Sequence, residues 1–213
     1  MNIAIVGATG NVGRKTLEVL EKKGLTLGNL YLVASSKSAG KKIHFQGKDI
    51  IVSELENFDF SKVKIAFFAA GGKISEKFAE KAAKHCLVID NSSFFRMDPD
   101  VPLIVPQVNS DALNNIKKNI IANPNCSTAQ LVIALKPLHD LFVIKRIVVS
   151  TYQSVSGAGK ASMDELIKQT KLALDGKDIK SENFTKPIAF NAIPQIDVFS
   201  EDGSTKEAVS YTH

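Results

Sequence analysis

Cysteine is scarce in this sequence, with only Cys86 and Cys126 among 213 residues. The two lie far apart in different sequence contexts, so we do not expect a disulfide between them, and a disulfide-built scaffold is excluded. A chain of this length can bury a stable core without cross-links or metal ions, and no metal site is predicted. Thiols without a disulfide framework indicate a reducing compartment, and we predict a cytoplasmic protein.

Long apolar segments are also missing. No stretch approaches the roughly 20 apolar residues that a membrane-spanning helix needs, and the start of the chain lacks the basic leader of a signal peptide. The net charge of +5 is modest, and the basic residues are scattered rather than gathered into one stripe. We therefore predict neither a membrane nor a nucleic acid as partner, and expect a small anionic substrate.

Short apolar runs alternate with helical patterns over the first two-thirds of the chain. Strands are predicted at 3–6, 30–34, 65–68, 87–89 and 120–122, with a β-hairpin that turns at Gln46-Gly47. Helices are predicted at 74–84 and at 12–23, the latter with Val12, Leu17, Val19 and Leu20 facing the core. Because parallel strands need crossover connections, this order predicts an α/β fold with a Rossmann-like, doubly wound parallel sheet.

The pattern changes near Cys126, and we predict a boundary there between a cofactor-binding domain, 1–126, and a partial domain, 127–213. The second region has predicted helices at 128–139 and 161–174, with a long strand at 144–152 between them. The chain becomes polar and weakly patterned after Asp175. These features indicate an incomplete α+β catalytic or dimerisation domain.

A glycine-rich turn, Gly7-Ala8-Thr9-Gly10-Asn11-Val12-Gly13, joins the first strand to the first helix. Glycines let the backbone turn tightly and approach a pyrophosphate, whose charge is favoured at a helix N-terminus. The position of this turn predicts a dinucleotide-binding site. The alternative is an ordinary tight turn between a strand and a helix.

An acidic residue is absent where NAD-dependent proteins hold the ribose 2′-hydroxyl. The second strand is followed instead by Ser35-Ser36-Lys37-Ser38-Ala39-Gly40. Hydroxyls and a lysine suit a 2′-phosphate, which a carboxylate would repel, so the segment predicts NADP as the cofactor. A surface serine turn without a ligand is the alternative.

The segment Asn123-Pro124-Asn125-Cys126-Ser127-Thr128 places a cysteine at the start of a predicted helix. A helix N-terminus stabilises a thiolate, and the neighbouring amides together with Asn125 can stabilise an oxyanion. Cys126 is therefore the candidate nucleophile. A lone cysteine is otherwise a small buried apolar residue, and Cys86 fits that description.

In order along the chain, the segments 7–13, 35–40, 91–97, 105–109, 123–128, 152–160 and 191–197 resemble motifs of the aspartate-semialdehyde dehydrogenase family. The resemblance implies an NADP-dependent homodimer that reduces L-aspartyl 4-phosphate to the semialdehyde, in the synthesis of lysine, threonine and methionine. It implies a thioester on Cys126, a substrate phosphate on Arg96, and substrate contacts from Gln153 and Asn125. The cofactor residues that it implies are Gly7, Thr9, Gly10, Asn11, Val12, Ser35, Lys37, Ser38, Ser156 and Gly157.

Other interpretations of these residues stay open from the sequence. Arg96 can pair with Asp98 or Asp100, Gln153 can bond to backbone, and 154–159 can be a hinge. The rival functions are an N-acetyl-glutamyl-phosphate reductase, whose motif usually reads Asn-Pro-Gly-Cys-Tyr, and a non-catalytic NADP-binding remnant.

The family is longer than this chain, and the resemblance ends near residue 207. None of the four histidines, His44, His85, His139 and His213, lies in a family-like motif, so the general acid–base cannot be assigned. We expect a truncated chain with uncovered apolar surface. Since loss of a general acid–base costs about 10²–10⁴ in rate, we also expect little or no turnover.

Overall fold

The chain forms two compact units, residues 1–146 and residues 147–209. The structure, a computed structural model, describes residues 1–205 and 207. In that part of the chain, none of the helices combines the length and the apolar character that a bilayer crossing requires. Within the same residues, histidine, cysteine and acidic side chains form no group of three that could hold a metal ion.

The first unit is built on a β-sheet. Its strands, as far as the chain is described, are β1 (Ile3–Val6), β2 (Leu30–Ala34), β3 (Lys42–Phe45), β4 (Lys48–Glu54), β5 (Ile65–Phe68), β6 (Leu87–Asp90) and β7 (Ile120–Ala122). They lie in the order β3-β4-β2-β1-β5-β6-β7. Neighbours are parallel except for the β3–β4 hairpin. The predicted doubly wound sheet is confirmed, and the hairpin extends one edge of it.

Helices cover both faces of this sheet. The α-helices of the described residues are α1 (Asn11–Lys22), α2 (Gly72–Ala83), α3 (Pro106–Asn109) and α4 (Cys126–Phe142) in the first unit, and α5 (Lys160–Leu174) in the second. In β1, Ala4 and Val6 belong to a core that contains Phe78 of α2. Ile5 points to the other face and joins a core that contains Leu17 of α1. This period of two is why a strand covered on both faces is apolar at every position.

The inward face of α1 differs from the prediction. Leu17 and Leu20 are buried, but Val12 and Val19 are 49% and 45% exposed. At 100° per residue, Gly13 shares a face with Leu17 and Leu20, whereas the two valines, seven residues apart, lie together roughly 120° around the helix from that face. The core-facing residues of α1 are therefore Gly13, Leu17 and Leu20, and the prediction was wrong for Val12 and Val19.

The strand predicted at 144–152 is wrong. In the described chain, residues 143–154 belong to no strand or helix. Val148 is 82% exposed and Tyr152 is 94% exposed. The β-branched composition fits a strand, yet a strand also needs a neighbour for its N–H and C=O groups, and no other segment among the described residues pairs with this one.

The second unit contains α5 and a weakly structured segment held against it. Glu165 accepts hydrogen bonds from the backbone amides of Glu182 and Asn183, at 2.8 and 2.7 Å. Gln169 Oε1 accepts from the amides of Ile188 and Ala189, at 2.8 and 3.1 Å. Burial raises the pKa of Glu165. The hydrogen bonds that its carboxylate accepts, first among them those from the amides of Glu182 and Asn183, outweigh burial and leave the pKa below its usual value. Side-chain acceptors thus satisfy backbone amides where no strand or helix does.

Candidate active site

The glycine turn lies at the carboxyl end of β1, beside the end of β5. The connections from these neighbouring strands lead to opposite sides of the sheet, so this is its topological switch point. Gly7 has φ +87°, and a Cβ atom built there would lie 2.6 Å from the carbonyl oxygen of Ala69, just beyond β5. A side chain at Gly7 is excluded because this backbone approach leaves no room for it.

The start of α1 fits a phosphate group. Its N-cap residue is Gly10, no side chain caps the helix, and no acidic residue lies in the first turn. First-turn amides have no partner within a helix, and together with the helix dipole they favour an anion. The predicted residues Gly7, Thr9, Gly10, Asn11 and Val12 all lie in this turn, which fits the pyrophosphate of a dinucleotide.

The loop after β2 reaches the glycine turn. A 3₁₀ helix spans Ser36–Ser38, and Thr9 Oγ1 donates a hydrogen bond to Ser38 Oγ at 3.3 Å. Ser35 and Lys37 are exposed in the same loop. The structure therefore brings the predicted residues of the first and second strand ends together at one edge of the sheet.

Cys126 is the first residue of α4, as the sequence predicted, and its thiol is exposed. Asn125 caps the helix: its Oδ1 accepts from the amide and the hydroxyl of Ser127, at 2.9 and 2.5 Å. The thiol lies 3.9 Å from the same oxygen. The cap and the β7 strand before it hold the thiol at the carboxyl edge of the sheet, at the N-terminus of α4, where the helix dipole favours an anion.

Arg96 binds the segment that leads to this cysteine. Its Nε donates to the carbonyl oxygen of Asn123 at 3.0 Å, and its Nη2 donates to that of Asn91 at 3.3 Å. The acidic residues that the sequence offered as partners form ion pairs elsewhere: Asp98 with Lys118 at 2.8 Å, and Asp100 with Lys117 at 2.9 Å. A hydrogen bond from Lys118 lowers the pKa of Asp98.

Sequence reasoning missed the residues that hold the turn from β6 to Arg96. Asp90 is fully buried, and it accepts from Ser75 Oγ at 2.7 Å and from Ser92 Oγ at 2.7 Å. Asn91 and Asn123, which follow β6 and β7, bond to each other through their side chains at 3.0 Å. A polar residue directly after an apolar strand is the signal that could have found them, since neighbouring parallel strands end at one edge.

The remaining predicted site residues belong to the second unit. Gln153 accepts from Thr151 Oγ1 at 3.1 Å and donates to Glu207 Oε1 at 3.4 Å. Ser156 and Gly157 are exposed in a 3₁₀ helix that spans Val155–Ala158. Ser154 and Ser156 share a hydrogen bond of 2.6 Å. The roles of Gln153, Ser156 and Gly157 stay predictions.

The two cysteines differ in a way that alkylation measures. Cys86 is 6% exposed, and burial raises its pKa to about 11, whereas Cys126 is exposed at a helix N-terminus. We expect iodoacetamide at neutral pH to modify Cys126 and leave Cys86 unmodified until the chain is unfolded, as read by peptide mass spectrometry. Equal, slow labelling of both thiols would contradict an accessible nucleophile.

Taken together, a doubly wound sheet with a glycine turn at its switch point defines a dinucleotide-binding α/β protein, and the exposed helix-start thiol adds a candidate nucleophile. Comparison with known proteins gives the family. Residues 2–116 match the family model described as semialdehyde dehydrogenase, NAD binding domain, and residues 135–212 match semialdehyde dehydrogenase, dimerisation domain. The chain belongs to the semialdehyde dehydrogenase family.

Named relatives agree with this. The aspartate-semialdehyde dehydrogenase 2 of Vibrio cholerae is 52% identical over 208 residues, 97% of this chain and 62% of the relative. A crystal structure of aspartate semialdehyde dehydrogenase II from Vibrio cholerae, complexed with ASA, has a TM-score of 0.96 at 51% identity and covers 99% of this chain and 63% of the other. A structure of the Candida albicans enzyme with NADP has a TM-score of 0.52 at 30% identity over 67% of this chain and 48% of the other.

These findings confirm the resemblance that the motifs predicted. They also support a nicotinamide dinucleotide as the class of cofactor, because the first unit carries the NAD-binding domain of the family. The chain spans about 62% of the length of its Vibrio cholerae relative.

Proposed function

We propose that this chain carries the NADP-binding and acyl-transfer part of an aspartate-semialdehyde dehydrogenase, which converts L-aspartyl 4-phosphate to the semialdehyde in amino-acid biosynthesis. One observation carries the proposal. The exposed thiol of Cys126 begins α4, three residues after Asn123, whose carbonyl binds Arg96. This arrangement supports a nucleophile on one segment and a phosphate-binding guanidinium that is hydrogen-bonded to that same segment.

The chemistry assigned to these residues balances. The Cys126 thiolate attacks the acyl carbon, the bond from that carbon to the phosphate oxygen breaks, and inorganic phosphate leaves while a thioester forms. Arg96 binds the phosphate oxygens, and the positive N-terminal end of α4 stabilises the oxyanion of the tetrahedral intermediate. NADPH, when bound, supplies the hydride that reduces the thioester carbonyl. The resulting thiohemiacetal oxyanion breaks its C–S bond, which releases the aldehyde and a thiolate, and one proton from solvent restores the thiol.

The proposed test does not depend on multiple turnovers. The full chain is mixed with L-aspartyl 4-phosphate. The molar ratio of released phosphate to protein is determined, and the intact mass of the protein is measured. We expect one phosphate per chain and one aspartyl group, which maps to Cys126. Added NADPH is expected to remove that group and to be oxidised in equal amount. Binding of NADP without acylation would favour the rival function, a non-catalytic NADP-binding remnant.

The proposed cofactor is NADP rather than NAD. Support comes from Lys37 and the serines around it, from the bond between Thr9 and Ser38, and from the NADP in the Candida albicans relative's structure. We expect Lys37→Glu to weaken NADP binding by about 10- to 100-fold and to leave NAD binding nearly unchanged, because only NADP carries the 2′-phosphate.

Calorimetric titration measures both affinities. Lys48→Glu, an exposed site at the β3–β4 turn, is the control because it makes the same charge change outside the loop. Equal losses in the two variants, or for the two cofactors, would contradict a 2′-phosphate site at Lys37.

Three further parts of the proposal concern the whole protein. We propose a homodimer, supported by the dimerisation-domain match at 135–212, and a cytoplasmic location. We also propose that the cofactor-binding domain is 1–126 and that 127–213 is part of a second domain. The reductase alternative is disfavoured by relatives that are named aspartate-semialdehyde dehydrogenase and by Asn125, whose side chain caps α4 where the reductase motif has glycine.

A further inference from the structure

Two asparagine side chains with no role in the chemistry above link the ends of three strands next to Arg96. Asn123 follows β7, and its Nδ2 donates to Asn91 Oδ1 at 3.0 Å. Asn91 follows β6, and its Nδ2 donates to the carbonyl oxygen of Phe68, the last residue of β5, at 3.2 Å. The two amides thus form a hydrogen-bonded relay from β7 through β6 to β5.

The same two residues hold Arg96 through their backbone. The guanidinium Nε and Nη2 donate to the carbonyl oxygens of Asn123 and Asn91 respectively. A guanidinium is planar and its donors have fixed directions, so two bonds to two separate carbonyls set the orientation of the whole group. Movement of either carbonyl would therefore change the direction of the remaining N–H donors, through which a guanidinium binds an anion.

The relay is not needed to complete the sheet. The backbone amides of Asn91 and Asn123 already donate to the carbonyls of Phe68 and Asp90, at 2.9 and 2.8 Å. The side-chain bonds add a lateral link between the strand ends. The buried carboxylate of Asp90 secures the same turn by accepting from the amide of Ser92 at 3.1 Å.

We propose that Asn91 and Asn123 are positioning residues, which hold Arg96 in the orientation that binds the substrate phosphate beside Cys126. This inference rests on the proposed function and adds two residues to it. Asn123 lies three residues before Cys126, so its carbonyl couples the guanidinium to the segment that carries the thiol. The asparagines act through Arg96 and do not themselves contact the phosphate.

Phosphate binding by the full chain tests the inference without requiring turnover. Asn123→Ala and Asn91→Ala each remove one side chain of the relay but keep the carbonyl that Arg96 uses. We expect each to weaken binding of inorganic phosphate by about 3- to 10-fold, measured by calorimetric titration, because a hydrogen bond of this kind contributes that much. The double variant is expected to lose no more than the larger single loss, since both changes break one relay.

Two comparisons make the result specific. Asn119→Gly is the control: Asn119 precedes β7 at the opposite edge, its Nδ2 donates to Ala83 O at 3.2 Å, and glycine suits its φ of +53°. We expect this control to bind phosphate like the parent, and the relay variants to keep the parent's affinity for NADP. Arg96→Ala is the reference for complete loss of the phosphate site.

The outcomes separate the two proposals. Relay variants that bind phosphate like the parent, while Arg96→Ala does not, overturn the positioning role and leave the proposed function intact. If Asn119→Gly loses as much phosphate affinity as the relay variants, or if the relay variants also lose NADP affinity, the cause is general destabilisation. Either result also overturns the positioning role. If Arg96→Ala binds phosphate normally, or if the parent does not bind it, the phosphate role of Arg96 fails and the inference fails with it.

Discussion

Cys126→Ser is expected to abolish acylation by L-aspartyl 4-phosphate, with the rate of stoichiometric phosphate release falling by about 10⁴-fold or more. A serine hydroxyl is a far weaker nucleophile than a thiolate at neutral pH. The loss is expected without a loss of structure, because the cap of α4 is made by Asn125 and Ser127 and does not use the thiol.

Cys86→Ala is the matched control for this experiment. It removes the other thiol, which is buried before the amino end of β6 and bonds to Ala82 O at 3.4 Å, away from the carboxyl ends of the strands. We expect the Cys86→Ala variant to lose some stability and still to release one phosphate per chain at the parent's rate. A Cys126→Ser variant that still releases one phosphate per chain at the parent's rate would end the thioester proposal.

Gly13→Ala is expected to destabilise the first unit by about 3 kcal/mol or more, as overpacking against fixed atoms does. A Cβ atom at residue 13 would lie 2.3 Å from the carbonyl oxygen of Gly7 and 2.8 Å from Cα of Ala8. Both are backbone atoms of the turn itself and cannot move aside like a side chain. The helix propensity of alanine, about 1 kcal/mol better than glycine, is too small to compensate.

Gly10→Ala provides the graded comparison in the same turn. Its Cβ would lie 3.3 Å from the Gly7 carbonyl oxygen, a contact that a small shift relieves. Urea unfolding at constant slope measures both variants, and we expect Gly13→Ala to lose several times more stability than Gly10→Ala. Similar losses in the two variants would show that the turn adapts to a side chain, and that close backbone contact is not the reason why residue 13 is glycine.

The turn between β1 and α1 shows how far local patterns reach. The glycines were recognised from the sequence as the requirement of a tight turn near a phosphate. Their spacing did not reveal that Gly13 faces the core while Val12 and Val19 are outside, because apolar residues occur on both sides of α1. The face that is buried depends on how closely α1 approaches the sheet, and Gly13 permits that approach.

The segment 144–152 shows where composition alone gives a wrong prediction. Its residues have the composition of a strand, and composition alone led to the prediction. A strand is stabilised by hydrogen bonds to another segment, and the described part of the chain supplies no such segment at these residues. Propensity is a property of the residues themselves, whereas pairing is a property of the neighbours.

The sequence by itself determined the strands of the sheet, the glycine turn, the cysteine at the start of α4 and the family, because apolar periodicity, turn chemistry and motif order are all local. Only the tertiary structure decided that β5, β6 and β7 end side by side. It alone gave Arg96 its contacts at Asn91 and Asn123. The physical reason is that hydrogen bonds between residues about thirty positions apart depend on strand order and register. No short window of residues contains that information.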